Sequence, residues 1–152
     1  MRRKQIVFTL VMAFSLLLAS TCFAEEKPLG DITSAQEVID KCFTGRTLDP
    51  IEGIWIKDKT LVIAIVKTSL TNTKNPKYQK SDYLGIVTKG NSIGEMIVFL
   101  KKTEYSFAFD GMGDGCTNDG LWKLLTPTVL QFDGINLVGT SKSFVRIYPP
   151  AP

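Results

Sequence analysis

Residues 83–101 read YLGIVTKGNSIGEMIVFLK: two apolar runs, Tyr83 to Lys89 and Ile93 to Lys101, around Gly90-Asn91. Gly-Asn is the chemistry of a tight hairpin turn, so this stretch predicts two antiparallel strands joined directly. The same grammar extends in both directions. Ile51 to Lys57 and Thr60 to Lys67 are short strand-like runs, the second apolar on both faces and so expected to be well covered. Glu104 to Asp110 alternates, with Tyr105, Phe107 and Phe109 on one face. Leu121 to Leu125 and Thr128 to Asp133 follow through Pro127, and Asp133-Gly134 reads as another tight hairpin before Asn136 to Thr140 and Phe144 to Tyr148. Eight or nine short strands at hairpin spacing predict an all-β domain, a small antiparallel β-barrel or sandwich.

One helix precedes the strands. Ser34 and Glu37 have the spacing of a capping box, and Ala35, Val38, Ile39 and Cys42 recur at helical intervals up to Gly45. No later segment has the length of a crossover helix, which argues against a parallel α/β fold.

The first 24 residues carry a different signal. Arg2, Arg3 and Lys4 precede an apolar run from Ile6 to Leu18, and Cys22-Phe23-Ala24 closes it with small residues. This is the order of a secretory signal peptide, with cleavage expected after Ala24. The apolar run is shorter than the roughly 20 residues that span a bilayer. An acylated Cys22 is the alternative that would tether the domain to a membrane. The expected layout is a signal peptide over 1–24, a lead-in over 25–32, one β-rich domain over 33–148 and a Pro-rich tail over 149–152. The destination is the periplasm or the exterior.

Export changes the charge balance. The 152-residue chain has 18 basic and 15 acidic residues; residues 1–24 hold three basic and no acidic ones, leaving 15 of each. A near-neutral domain lacks the basic footprint of nucleic-acid binding. Two cysteines, Cys42 and Cys116, remain in an oxidising compartment, where a bridge is expected. It would close a loop of about 75 residues and contribute roughly 4 kcal/mol on the chain-entropy model.

Histidine is absent from the whole chain. That removes Ser-His-Asp and Cys-His nucleophiles, histidine-held metals and haem, and histidine pH switching. The loop from Gly111 to Gly120 contains Asp114 and Asp119 beside Asp110, but neither EF-hand register places its ligands or glycine correctly. A non-EF calcium site on Asp110, Asp114 and Asp119 is one alternative, and a histidine-free hydrolase, which would have to rely on Asp, Glu, Lys, Ser or Tyr, could use the same carboxylates; no catalytic residue, metal or cofactor is assigned. A second loop, Thr68 to Lys80, is long and polar and carries Lys74, Lys77 and Lys80.

Gly53 and Trp55 share one face of the first strand, and Arg146 lies between Phe144 and Tyr148 on the last. An arginine can stack over an indole by a cation–π contact. This set resembles the lipocalin and wider calycin barrels, which have a short N-terminal helix, a glycine-x-tryptophan on the first strand and an arginine on the last. The departures are a longest loop after the second strand rather than the first, a shorter chain and no closing helix. An avidin-like or lysozyme-inhibitor-like barrel fits the length better. The resemblance implies structural roles for Gly53, Trp55 and Arg146. If the barrel is hollow, Trp55, Tyr105, Phe107 and Phe109 are the candidate lining of a site for a small apolar molecule. If it is filled, they are core, and exposed loops would bind an envelope or extracellular protein.

Overall fold

The computed structural model describes residues 34–71, 73, 76–113, 119–134 and 141–150. Residues 1–33 lie outside this set, and with them the expected signal peptide, Cys22 and the expected lead-in. So do Asp114, Cys116 and the expected strand over 136–140.

Eight antiparallel strands close into a barrel in chain order, each pairing with the next and β8 returning to β1. They are β1 (Gly53–Lys57), β2 (Leu61–Lys67), β3 (Tyr83–Lys89), β4 (Met96–Lys102), β5 (Ala108–Gly113), β6 (Gly120–Thr126), β7 (Val129–Gly134) and β8 (Ser141–Tyr148). Closure decides for barrel over sandwich and leaves no open sheet edge among these strands.

Two expected hairpins are wider than their dipeptides suggested. Asp133 pairs with Ser141 and Gly134 still belongs to β7, so the β7–β8 connection comprises residues 135–140, outside the described set, and Asp133-Gly134 is not a tight turn. In the β3–β4 connection Gly94 N–H donates to the Val87 carbonyl at 2.8 Å, which spreads the turn beyond Gly90-Asn91. In both places barrel register sets the turn, and the local dipeptide does not.

The strand expected over Glu104 to Asp110 is also corrected. Thr103 Oγ1 accepts from Tyr105 N–H at 3.1 Å and donates to the Ala108 carbonyl at 2.9 Å, folding 103–108 into a turn. Strand β5 therefore starts at Ala108. Phe109 points into the barrel and is buried, whereas Tyr105 and Phe107 are 56% and 53% exposed. The side-chain oxygen of Thr103 competes with the ladder for these backbone groups, which alternation alone does not reveal.

The interior is built from the inward phase of every strand. Trp55 faces Ile63 and Arg146 on its two neighbours, and Phe109, Trp122 and Phe132 form a row across three strands. Trp122 packs on Phe132 and Phe144 with ring centroids 4.8 and 5.3 Å apart, and Tyr83 meets Phe109 edge-on at 5.8 Å. No residue of this interior cluster is more than 4% exposed. Small barrels fill in this way.

Such large rings need glycine opposite them. A Cβ on Gly120 would lie 2.2 Å from the Asp133 carbonyl oxygen and 2.7 Å from the Phe132 ring. The carbonyl belongs to the paired strand and cannot rotate away. Gly120→Ala is expected to cost about 2–3 kcal/mol through overpacking. Urea denaturation checks it; a loss under about 0.5 kcal/mol would mean the β6–β7 register is different.

Outside the barrel, α1 (Ala35–Val38) runs into a π-helical turn at Ile39–Phe43. Ser34 Oγ accepts from Glu37 N–H at 3.3 Å, the cap its sequence anticipated. Gly45, with φ +78°, follows the helix end. Val38, Cys42 and Phe43 are buried over the outer face of β1 to β4, against residues such as Ala64, Leu84 and Phe99. This covering explains why β2 is apolar on both faces. Tyr78 of the short α2 (Pro76–Gln79) stacks on Phe99, with centroids 4.6 Å apart. No described helix is long and apolar enough to cross a membrane.

Candidate functional site

The barrel end that carries α1 is organised by one buried carboxylate. Glu52 is fully buried. A carboxylate is tolerated there only if its lone pairs are met by donors. Arg46 supplies a two-pronged pair, with Nη1 2.9 Å from Oε2 and Nη2 on Oε1. The backbone N–H groups of Asp49 and Lys67 donate at 2.9 and 3.2 Å. Arg46 Nε also donates to the Cys42 carbonyl, so the same side chain ties the end of the π-turn to the barrel. Its pairing with Glu52 raises the Arg46 pKa further.

Beside Glu52 lies a second, more accessible group. Tyr83 Oη donates to Asp49 Oδ2 at 2.7 Å. Lys67 and Lys102 approach the same oxygen at 3.2 and 3.8 Å. The Tyr83 hydroxyl first, and then Lys67, hold the Asp49 carboxyl below its usual range. Burial, reinforced by Asp49, pushes the Tyr83 phenol up. The Lys102 ammonium lies 5.4 Å from the centre of the Tyr83 ring.

Two hollows open on either side of this pair. One, of about 490 Å³, lies between Lys67, Ser69, Gln79, Ser81 and Asp82. The other, of about 280 Å³, is walled by Asp49, Ile51, Tyr105, Ser106 and Phe109. Tyr83 and Lys102 line both, so the two hollows adjoin at these residues and together make up the cleft at this end of the barrel. At the opposite end, a hollow of about 370 Å³ sits between Leu61, Val87, Gly90 and Ile97.

The sequence-derived residues divide around these features. Arg146 stacks on Trp55, with Cζ 4.6 Å from the ring centroid. A Cβ on Gly53 would lie 2.3 Å from the Tyr148 carbonyl oxygen and 3.6 Å from Arg146 Nε, so this position requires glycine. Burial lowers the Arg146 pKa. Trp55 and Phe109 belong to the interior, and Tyr105 stands on the cleft wall. Phe107 is exposed beside it, with ring centroids 5.8 Å apart. The four residues thus do not form one lining. Cys42 is buried under α1, while its expected partner Cys116 lies outside the described residues. Asp110 is exposed on β5, apart from the cleft. Lys74 lies outside the described residues; the loop that carries it borders the cleft through Ser69 and Gln79.

Arg46, Asp49, Glu52, Lys67, Tyr83 and Lys102 were not singled out from the sequence. A parity signal existed for two of them. Lys67 continues the inward phase of Ile63 and Ile65, and Lys102 that of Val98 and Leu100. Lysines on the inner phase at strand ends mark a polar barrel mouth.

These features define a filled, closed eight-stranded barrel with a polar cleft at its helix end. The chain matches no family model, no curated protein and no solved structure.

Proposed function

We propose that this is an exported, non-enzymatic binding domain that recognises its ligand or protein partner at the helix-end cleft, not inside the barrel. The observation that carries this reading is the cleft centred on Tyr83 and Lys102, beside an interior occupied by aromatic side chains. Binding sites combine concavity with a few convergent polar groups, and this cleft has both. Its walls are tied together: Asp49 accepts from Tyr83 and pairs with Lys67 and Lys102, and Glu52 accepts from the Asp49 N–H in the turn below. Preorganisation of this kind lowers the ordering cost of binding. The non-enzymatic part rests on the lack of histidine and on Asp49, whose lowered pKa suits an ion-pair partner better than a proton donor. Export rests on the charged and apolar pattern of residues 2–18.

The second reading is a carrier for a small apolar molecule, favoured by the opposite hollow between Leu61, Val87 and Ile97. Amide chemical-shift mapping separates the two. Millimolar glucose, glycinamide and acetate are expected to shift signals within 67–83 and 102–109. Palmitate is expected to leave Leu61, Val87, Ile97 and the tryptophan fluorescence unchanged. Saturable palmitate binding at those three residues, with a silent cleft, would overturn the proposal.

A further inference from the structure

The charged groups around the cleft balance. Lys67 and Lys102 face Asp49 and Asp82, while Glu52 is engaged by Arg46 beneath them. A ligand carrying a strong net charge would find no matching field. Uncharged hydrogen-bonding groups are abundant instead. The Ser69 and Ser106 hydroxyls are exposed, and Gln79 spends its amide N–H on the Thr73 carbonyl at 3.1 Å, leaving its oxygen to accept. Asp82, which lines the larger hollow, uses Oδ2 to accept from Lys102 N–H at 2.7 Å. The cleft therefore offers both donors and acceptors.

One wall differs. The Tyr105 ring is 56% exposed and borders the smaller hollow, with Phe109 and Ile51 buried behind it. A flat amphipathic ring beside a hydroxyl-rich floor matches a molecule with C–H faces and hydroxyl edges. The two hollows adjoin at Tyr83 and Lys102, and a ligand that occupied both would be a chain longer than a single compact ring. An extended peptide is the obvious competitor. Peptides that bind β-domains commonly add a strand to an open sheet edge. Strands β1 to β8 present none, since β8 pairs with β1.

Resting on the cleft reading above, we infer that the ligand is an uncharged saccharide chain, seated across Tyr83 and Lys102 with one ring stacked on Tyr105. The test is calorimetric and NMR titration of the purified protein with cellotetraose, maltotetraose and chitotetraose. Saturable binding of at least one is expected, with amide shifts at Ser69, Ser81 and Tyr105. Tyr105→Ala should weaken it by about tenfold or more while leaving the melting temperature unchanged, because the ring is exposed. Tyr105→Phe should retain it. Equal binding by Tyr105→Ala, or tighter binding of a neutral tetra-alanine peptide, would overturn the assignment. So would three silent saccharides. In that last case, cleft shifts from glycinamide or acetate would leave the cleft reading standing, and a cleft silent to every probe would remove both.

Discussion

Trp55→Ala is expected to lower the stability of the barrel by about 4 kcal/mol, the largest effect of any single truncation considered for this chain. Trp55 is fully buried. Its indole N–H donates to the Ile51 carbonyl at 3.0 Å, and Arg146 lies 4.6 Å over its ring centroid. Truncation opens a cavity, leaves the Ile51 carbonyl without that donor and removes the surface on which the Arg146 guanidinium rests. For a domain of this size the melting temperature should fall by roughly 10–20 °C. Trp55→Phe keeps most of the apolar volume and loses the N–H, so about 1–2 kcal/mol is expected. Urea denaturation of both variants measures the difference. A loss under about 1.5 kcal/mol for Trp55→Ala would show that the first-strand tryptophan is not the keystone of closure between β1 and β8.

Arg46→Met is expected to cost about 3 kcal/mol. Removing one partner of a buried pair leaves the other charge uncompensated, which is far more harmful than removing both. Glu52 would keep two backbone donors, with Lys67 Nζ at 4.0 Å as its nearest remaining cation. The end of the π-turn would also lose the Arg46 bond to the Cys42 carbonyl. Combining Arg46→Met with Glu52→Gln removes the buried charge and retains an acceptor for the backbone N–H groups. The double variant should recover more than half of the loss. If it is as unstable as the sum of the single changes, the two side chains are not energetically coupled. The coupling bears on the proposed binding site because Glu52 anchors the turn that carries Asp49, and Asp49 organises Tyr83, Lys67 and Lys102 in the cleft.

Strand identity was legible where burial is one-sided and local. The helix start at Ser34, strand β3 from Tyr83 to Lys89, and the Trp55–Arg146 stack were all readable, since cap chemistry, apolar runs and cation–π pairing use a few residues at short range or a recognisable pair. The stretch 104–110 was misleading because Thr103 makes a turn that imitates strand alternation. The wider β3–β4 and β7–β8 turns were not readable from their dipeptides, since the register of neighbouring strands decides where pairing stops. The cleft was the least legible feature. Asp49 and Tyr83 are 34 residues apart, and the lysines that join them come from β2 and β4.

By itself, then, the amino-acid sequence determined an antiparallel β-rich domain with one capped helix and no histidine chemistry. These follow from residue types and periodicity, which act over a turn of helix or a strand. Only the tertiary structure decided that the sheet closes on itself, that aromatic rings fill its interior, and that Asp49, Tyr83, Lys67 and Lys102 meet at one end. Closure depends on the summed twist and register of eight strands, and a site at a barrel mouth exists only after closure has brought their ends together.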